Sequence, residues 1–279
     1  MKCLFCKQPS DHSTSEEHIV PESLGNKSHV LAEGVVCDKC NNYIATKIEK
    51  TALETPFFKD LRFRNNIESK KGKIPPGTAF FPKTKHSGEI SFDMKSRQIN
   101  VQLDEETFNL VNEGMIKQVY IPFNLEIPTN NQAVSRMLAK IALEFTALNF
   151  AKTEEELALL VDDEQLDPIR NYVRFNPKNE TWVYHTRKIY DEHEDFFLAD
   201  GKSVDMVFEC DFLMTEHIEV YFIIAFKGVE FVINMAGSSI DGYLDWLKQH
   251  DDISPLYRKG RNFGYKLTPG FLIKDKPNE

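Results

Sequence analysis

Between Asn131 and Ala151 the apolar residues Val134, Met137, Leu138, Ile141, Ala142, Phe145, Leu148 and Phe150 recur at helical spacing, which predicts a core helix. Shorter helices are expected over 105–113, 154–160 and 240–248, the last carrying Tyr243, Trp246 and Leu247. Elsewhere the period falls to two. Residues 89–94 and 98–103 alternate about Lys95-Ser96-Arg97 and suggest a hairpin. The stretches 181–190, 204–214 and 218–235 are rich in Val, Ile, Phe and Tyr, with Gly228 marking a turn, and read as an antiparallel sheet. The expected fold class is therefore α+β. Residues 65–76, rich in Lys, Gly and Pro, read as a linker between a small unit, 1–64, and a larger α+β domain, 77–279, whose role no motif identifies.

The small unit is organised by cysteine. Cys3-Leu4-Phe5-Cys6 and Cys37-Asp38-Lys39-Cys40 are two CxxC turns, each able to supply two thiolates, and together they complete one closed tetrahedral zinc site. Such a zinc is structural, so any chemistry must come from other residues. The N-terminal MKCLFCKQPS lacks the apolar core of a signal peptide, and no run approaches the roughly 18 apolar residues of a membrane span. A cytoplasmic location with no membrane partner is expected, and a reducing compartment keeps the paired thiols available for metal. Cys210, in an alternating strand-like run, reads as an inert buried thiol.

Charge changes this picture only locally. The formal net charge is -9, yet residues 1–74 hold 12 Lys+Arg against 10 Asp+Glu, leaving 22 against 33 for the rest. Lys59, Arg62, Arg64, Lys70, Lys71 and Lys73 form a basic stripe interleaved with Phe57, Phe58 and Phe63, suited to neutralising phosphates; Arg62 and Arg64 are its candidate contacts. The acidic remainder discourages nucleic acid from wrapping it and suits a protein partner or a homo-oligomer.

Between the cysteine turns lies Glu17-His18-Ile19-Val20-Pro21, then Leu24-Gly25, and Asn41-Asn42 follows the last cysteine. With this order of elements, residues 3 to about 64 resemble the HNH endonucleases of the ββα-metal superfamily. The resemblance implies a zinc-bound treble clef, a two-stranded hairpin bearing a base histidine, and a helix bearing a metal-binding residue just after the final CxxC. It also implies a nucleic-acid substrate, DNA first.

The residues fit that chemistry. Phosphodiester hydrolysis needs a base for water and a cation for the charge gathering on phosphoryl and departing oxygens. An imidazole titrating near 6.5 makes His18 the candidate base. Glu17 and Asn41 offer the oxygen donors that magnesium, or another divalent ion, prefers. With Asp38 as N-cap, positions 41, 44 and 48 share one helix face, so Asn41 rather than Asn42 accompanies Ile44 and Ile48 inward. Two features depart from the family pattern. Its middle Asn has no clear counterpart, leaving a backbone carbonyl, Asn26 or His29 to orient His18. Adjacent Glu17 and His18 also point to opposite faces of a regular strand, so both serve one site only if the strand bends.

The reading is a metal-dependent HNH-type endonuclease, and the alternative is a zinc-dependent nucleic-acid-binding module that cuts nothing. A zinc deaminase is a poor fit, because four cysteines close the zinc sphere and Glu17-His18 does not supply the H-x-E arrangement that chemistry uses.

Overall fold

The computed structural model of the chain describes residues 1–257 apart from 83, 94–95, 97, 125, 177–178, 195 and 198–202. The elements begin with β1 (Glu17–His18), β2 (Val30–Leu31), α1 (Asp38–Ile44), a π-helical turn (Ala45–Glu49), α2 (Lys50–Leu53) and α3 (Pro56–Arg64). Next come β3 (Gly77–Phe80), β4 (Ser87–Asp93), β5 (Gln98–Gln102), α4 (Glu105–Asn112), α5 (Gln132–Phe150), α6 (Glu154–Asp162) and α7 (Asp167–Arg174). The rest holds β6 (Tyr184–Lys188), β7 (Phe196–Phe197), β8 (Ser203–Val204), β9 (Phe208–Met214), β10 (Val220–Phe226), β11 (Val229–Asn234) and α8 (Asp241–Gln249). The class is thus mixed, with antiparallel sheets, as the two hydrophobic periods predict. Among the described residues no helix is long and apolar enough to cross a membrane.

Two units divide the chain. One comprises Met1–Pro21, Asn26–Ala52 and Ile127–Glu279, and the other Glu22–Gly25 with Leu53–Glu126. The residues expected as a linker, 65–76, fall inside the second.

The first unit is built on a four-stranded antiparallel sheet in the order β6-β11-β10-β9. Period-two geometry sends alternate side chains of β10 to opposite faces. Tyr221, Ile223 and Ala225 join Val232, Tyr243, Leu247 and Leu256 beneath α8. Phe222 faces the other way and meets Phe145 of α5 and Phe212 of β9, with ring centroids 5.5 and 5.6 Å apart. Both faces are covered, which is why Val220–Phe226 reads VYFIIAF without a polar break. Each such side chain, fully buried, contributes on the order of 1.5–3 kcal/mol.

Hairpin β10–β11 closes through Lys227 and Gly228, both at positive φ (47° and 79°), the two-residue turn whose twist suits antiparallel strands. A Cβ at Gly228 would stand 2.3 Å from the Tyr190 carbonyl oxygen, so only glycine fits there. The long helix α5 starts where Asn131 accepts a bond from the Val134 amide, and α6 starts at a reciprocal capping box between Thr153 and Glu156.

The second unit is smaller. Strands β3, β4 and β5 form an antiparallel meander, with Ile90 opposite Val101 and Phe92 opposite Ile99. Its core is Ala79, Phe81, Ile90 and Ile116, edged by Phe63, Leu103, Leu110 and Ile121. Helix α3 opens on Pro56, which gives up no needed donor in a first turn, and α4 opens on Asp104, whose carboxylate accepts from the Thr107 amide.

Candidate functional site

The two cysteine turns meet at the start of α1. Cys37 is extended (φ -72°, ψ 151°) and its sulfur accepts a bond from the Cys40 amide, making Cys37 the helix N-cap. This corrects the expectation that Asp38 caps the helix. The thiol already occupies the capping position, and the Asp38 carboxylate instead accepts from the Thr14 and Ser15 amides at 3.0 and 2.9 Å and from the Ser15 hydroxyl at 2.6 Å. The cap thus joins helix start to cage, and Asp38 ties in the segment that leads to β1.

The sulfurs of Cys3, Cys6, Cys37 and Cys40 lie within 4.8 Å of one another, and those of Cys6 and Cys37 are 3.7 Å apart. Ligands of a tetrahedral zinc at about 2.3 Å would be separated by about 3.8 Å. The set can therefore hold one zinc ion. A hydrogen bond from Cys40 draws the Cys3 thiol down to about 5, while the same contact pushes Cys40 up, and burial pushes Cys6 up to about 11. Sulfurs this close become thiolates together only around a cation. The Cys37 amide also donates to the Cys3 sulfur (3.3 Å) and Arg174 Nε to the Cys40 sulfur (3.2 Å), so the cage has outer support from its own turns and from α7. The Arg174 guanidinium at the same time lies 4.2 Å from the Tyr43 ring centroid.

Strands β1 and β2 pair antiparallel, Glu17 opposite Leu31 and His18 opposite Val30. Asn26, only 1% exposed, holds the loop that follows. Its amide nitrogen donates to the Val20 and His29 carbonyls at 2.8 and 2.9 Å, and its oxygen accepts from the Ser28 and His29 amides at 3.2 and 2.9 Å. All four groups are main chain, so Asn26 fixes the exit of the His18 strand through the backbone alone.

Asn41 is half-buried on α1, on the face that carries the fully buried Ile44 and Ile48, while Asn42 is exposed. The Asn41 amide nitrogen donates to the Glu16 carbonyl at 2.9 Å. That bond joins helix start to strand and leaves Oδ1, the atom a hard cation takes, as the remaining polar atom of the side chain.

Glu17 and His18 differ in environment, as their adjacent strand positions require. His18 is half-buried, whereas Glu17 is 5% exposed and turned into a charged cluster centred on Lys140 of α5. The Lys140 ammonium, fully buried, lies 2.6 Å from Glu17 Oε1, 2.8 Å from Glu49 Oε1 and 2.9 Å from Glu144 Oε2. It also donates to the His18 carbonyl at 2.6 Å and the Ile19 carbonyl at 3.1 Å. Burial pushes the Glu17 carboxyl up to about 7 against the pull of Lys140, and Glu144 is raised by burial first and by Glu17 second. Glu49 reaches this cluster from the π-helical turn, in which the Lys50 amide bonds back five residues to Ala45.

Arg62 and Arg64 belong to α3 in the second unit. Arg62 is buried, and burial lowers its guanidinium, while Arg64 lies 5.6 Å from the Phe123 ring centroid. Sequence reasoning missed Lys140 and Glu144, which sit on a helix recognised for its apolar face. The signal was Arg136, Lys140 and Glu144 at four-residue steps, a polar row along one side of that helix.

A zinc-capable cage, a short hairpin and a helix starting at the second cysteine turn thus lie together in the N-terminal part of the chain. Residues 3–57 match the family of HNH endonucleases, in line with an HNH segment reaching to about residue 64. No curated protein and no solved structure matches the chain.

Proposed function

We propose that the HNH segment is a metal-dependent endonuclease centre that hydrolyses phosphodiester bonds, in DNA before RNA. In this reading His18 takes the proton of the attacking water. Asn41 Oδ1 and the Glu17 oxygen not engaged by Lys140 are the proposed donors to the divalent ion, magnesium or another hard cation, which requires that Glu17 oxygen to reach the His18 side of the strand. When bound, that ion offsets negative charge on the phosphoryl and leaving oxygens. The four cysteines hold a structural zinc, which fixes helix to hairpin. Arg62 and Arg64 are proposed phosphate contacts on the strength of their charge alone.

The observation that carries the reading is the bond from Asn41 to the Glu16 carbonyl. It ties the Asn41 side chain, on the inner face of α1, to the residue that precedes Glu17 and His18. The family match at residues 3–57 supports a nuclease-type role for this segment.

A second reading, a zinc-dependent module that binds nucleic acid without cutting it, is favoured by one observation. The Glu17 carboxylate is already paired with Lys140 in the interior. Digestion of plasmid and single-stranded substrates across a divalent-metal series, wild type beside His18→Ala, separates the two. Metal-dependent nicking lost in the variant supports the nuclease; retained binding with no cutting by wild type under any metal supports the binding module.

A further inference from the structure

Lys140 lies far outside residues 3–57, on a helix the HNH segment does not include. Yet three of its five oxygen partners belong to one tripeptide: the Glu17 carboxylate, the His18 carbonyl and the Ile19 carbonyl, at 2.6, 2.6 and 3.1 Å. From these contacts we propose that Lys140 is a positioning residue of the nuclease centre, setting the direction of the His18 strand and the resting place of the Glu17 carboxylate. The inference rests on the nuclease reading above and deepens it.

The geometry gives Lys140 two separate effects. An ammonium carries three donors and no acceptor, so it can satisfy main-chain carbonyls and a carboxylate at once, which no neutral side chain of that length does. Its hold on the His18 carbonyl acts through the backbone on the residue that bears the base. Its hold on Glu17 Oε1 anchors one oxygen of the carboxylate and so limits where the second can lie. Glu144, one turn further along α5, and Glu49 flank the ammonium at 2.9 and 2.8 Å and keep it from swinging away. The inner support of the site is therefore supplied by α5.

A lysine whose only role is to neutralise buried carboxylates would affect folding and leave a folded protein's site unchanged. A positioning lysine changes the site itself. Groups that orient metal ligands typically change metal affinity or activity about 10- to 100-fold when replaced. The test uses the full chain and manganese as probe, with Lys140→Met, Lys140→Arg and the charge-lightened double variant Lys140→Met/Glu144→Gln. Each protein is first checked for one zinc per chain and for a cooperative melting transition, and those that fold go forward. Manganese affinity by calorimetry and cleavage rate against manganese concentration are then measured.

The expected result is that the folded methionine variant, single or double, needs about 10- to 100-fold more manganese for half-saturation in both measurements, and that Lys140→Arg recovers part of the loss. A folded methionine variant with wild-type manganese affinity and wild-type rate, changed only in melting temperature, overturns the proposal. Wild type that neither binds manganese nor cuts is a different failure: the nuclease reading itself falls, and the positioning role with it.

Discussion

Two clusters in the same unit each gather several ligand-type groups around one point, and they do so by opposite means. The sulfur cage is assembled from two local turns, Cys3/Cys6 and Cys37/Cys40, and is suited to an ion taken from solution. The oxygen cluster draws Glu17 from a strand, Glu49 from a π-helical turn and Glu144 from α5, and the chain supplies its own cation, Lys140. A chelator can empty the first and cannot touch the second. The difference separates two kinds of support for one hairpin: one adjustable by metal supply, the other built in with the fold.

The largest effect should come from breaking the cage. Structural zinc contributes on the order of 10–16 kcal/mol of apparent binding energy, as much as the whole net stability of about 5–15 kcal/mol of an ordinary domain. Cys37→Ser, which removes a ligand and alters the cap of α1, is expected to release zinc and abolish the protection of amides in residues 3–44, read by metal analysis and hydrogen exchange. Zinc content and protection equal to wild type would remove the structural role of the cage.

Breaking the oxygen cluster should cost less and should resist chelators. Lys140→Met leaves two buried carboxylates, Glu17 and Glu144, and the half-buried Glu49 without their cation, a loss of about 3–5 kcal/mol measurable as a shift in urea midpoint. If chelator treatment of wild type reproduced that shift and added nothing to the variant, the two supports would not be separate. Between the clusters stands Asn26. Asn26→Ala removes four bonds to main-chain groups at once, the His29 carbonyl keeping only the Ile19 amide, and should cost about 1–3 kcal/mol, with a wider fall in activity than in stability because the His18 strand loses its exit clamp. The smallest effect is expected at the rim of the cage. Arg174→Met gives up a bond to the Cys40 sulfur and a stacking contact with Tyr43, about 0.5–2 kcal/mol, seen as faster zinc loss to a competing chelator.

The same contrast explains what the sequence makes legible. The cage is written in two three-residue spacings, so Cys3, Cys6, Cys37 and Cys40 can be grouped without coordinates. The core helix and the strand run Val220–Phe226 are equally local, being matters of period and composition. Asn41 follows from helix phase relative to Ile44 and Ile48. What escapes is whatever depends on pairing across the chain. Lys140 meets its tripeptide more than 120 positions away, and no local rule says which of several helical lysines will turn inward. The cap of α1 escapes for another reason: propensity favours Asp38, but a cysteine already held at the cage takes the capping position first. Glu17 was placed beside His18 by the motif, whereas the strict alternation of a strand gave the two side chains different surroundings.

Whether the hairpin performs chemistry is decided most directly at His18. The rate of metal-dependent plasmid cleavage should be compared under single-turnover conditions for wild type and His18→Ala, at equal zinc content and equal melting temperature. A positioned general base contributes about 10²–10⁴-fold, so the variant should fall by that factor while still binding DNA. Cleavage by the folded variant at the wild-type rate would contradict the account.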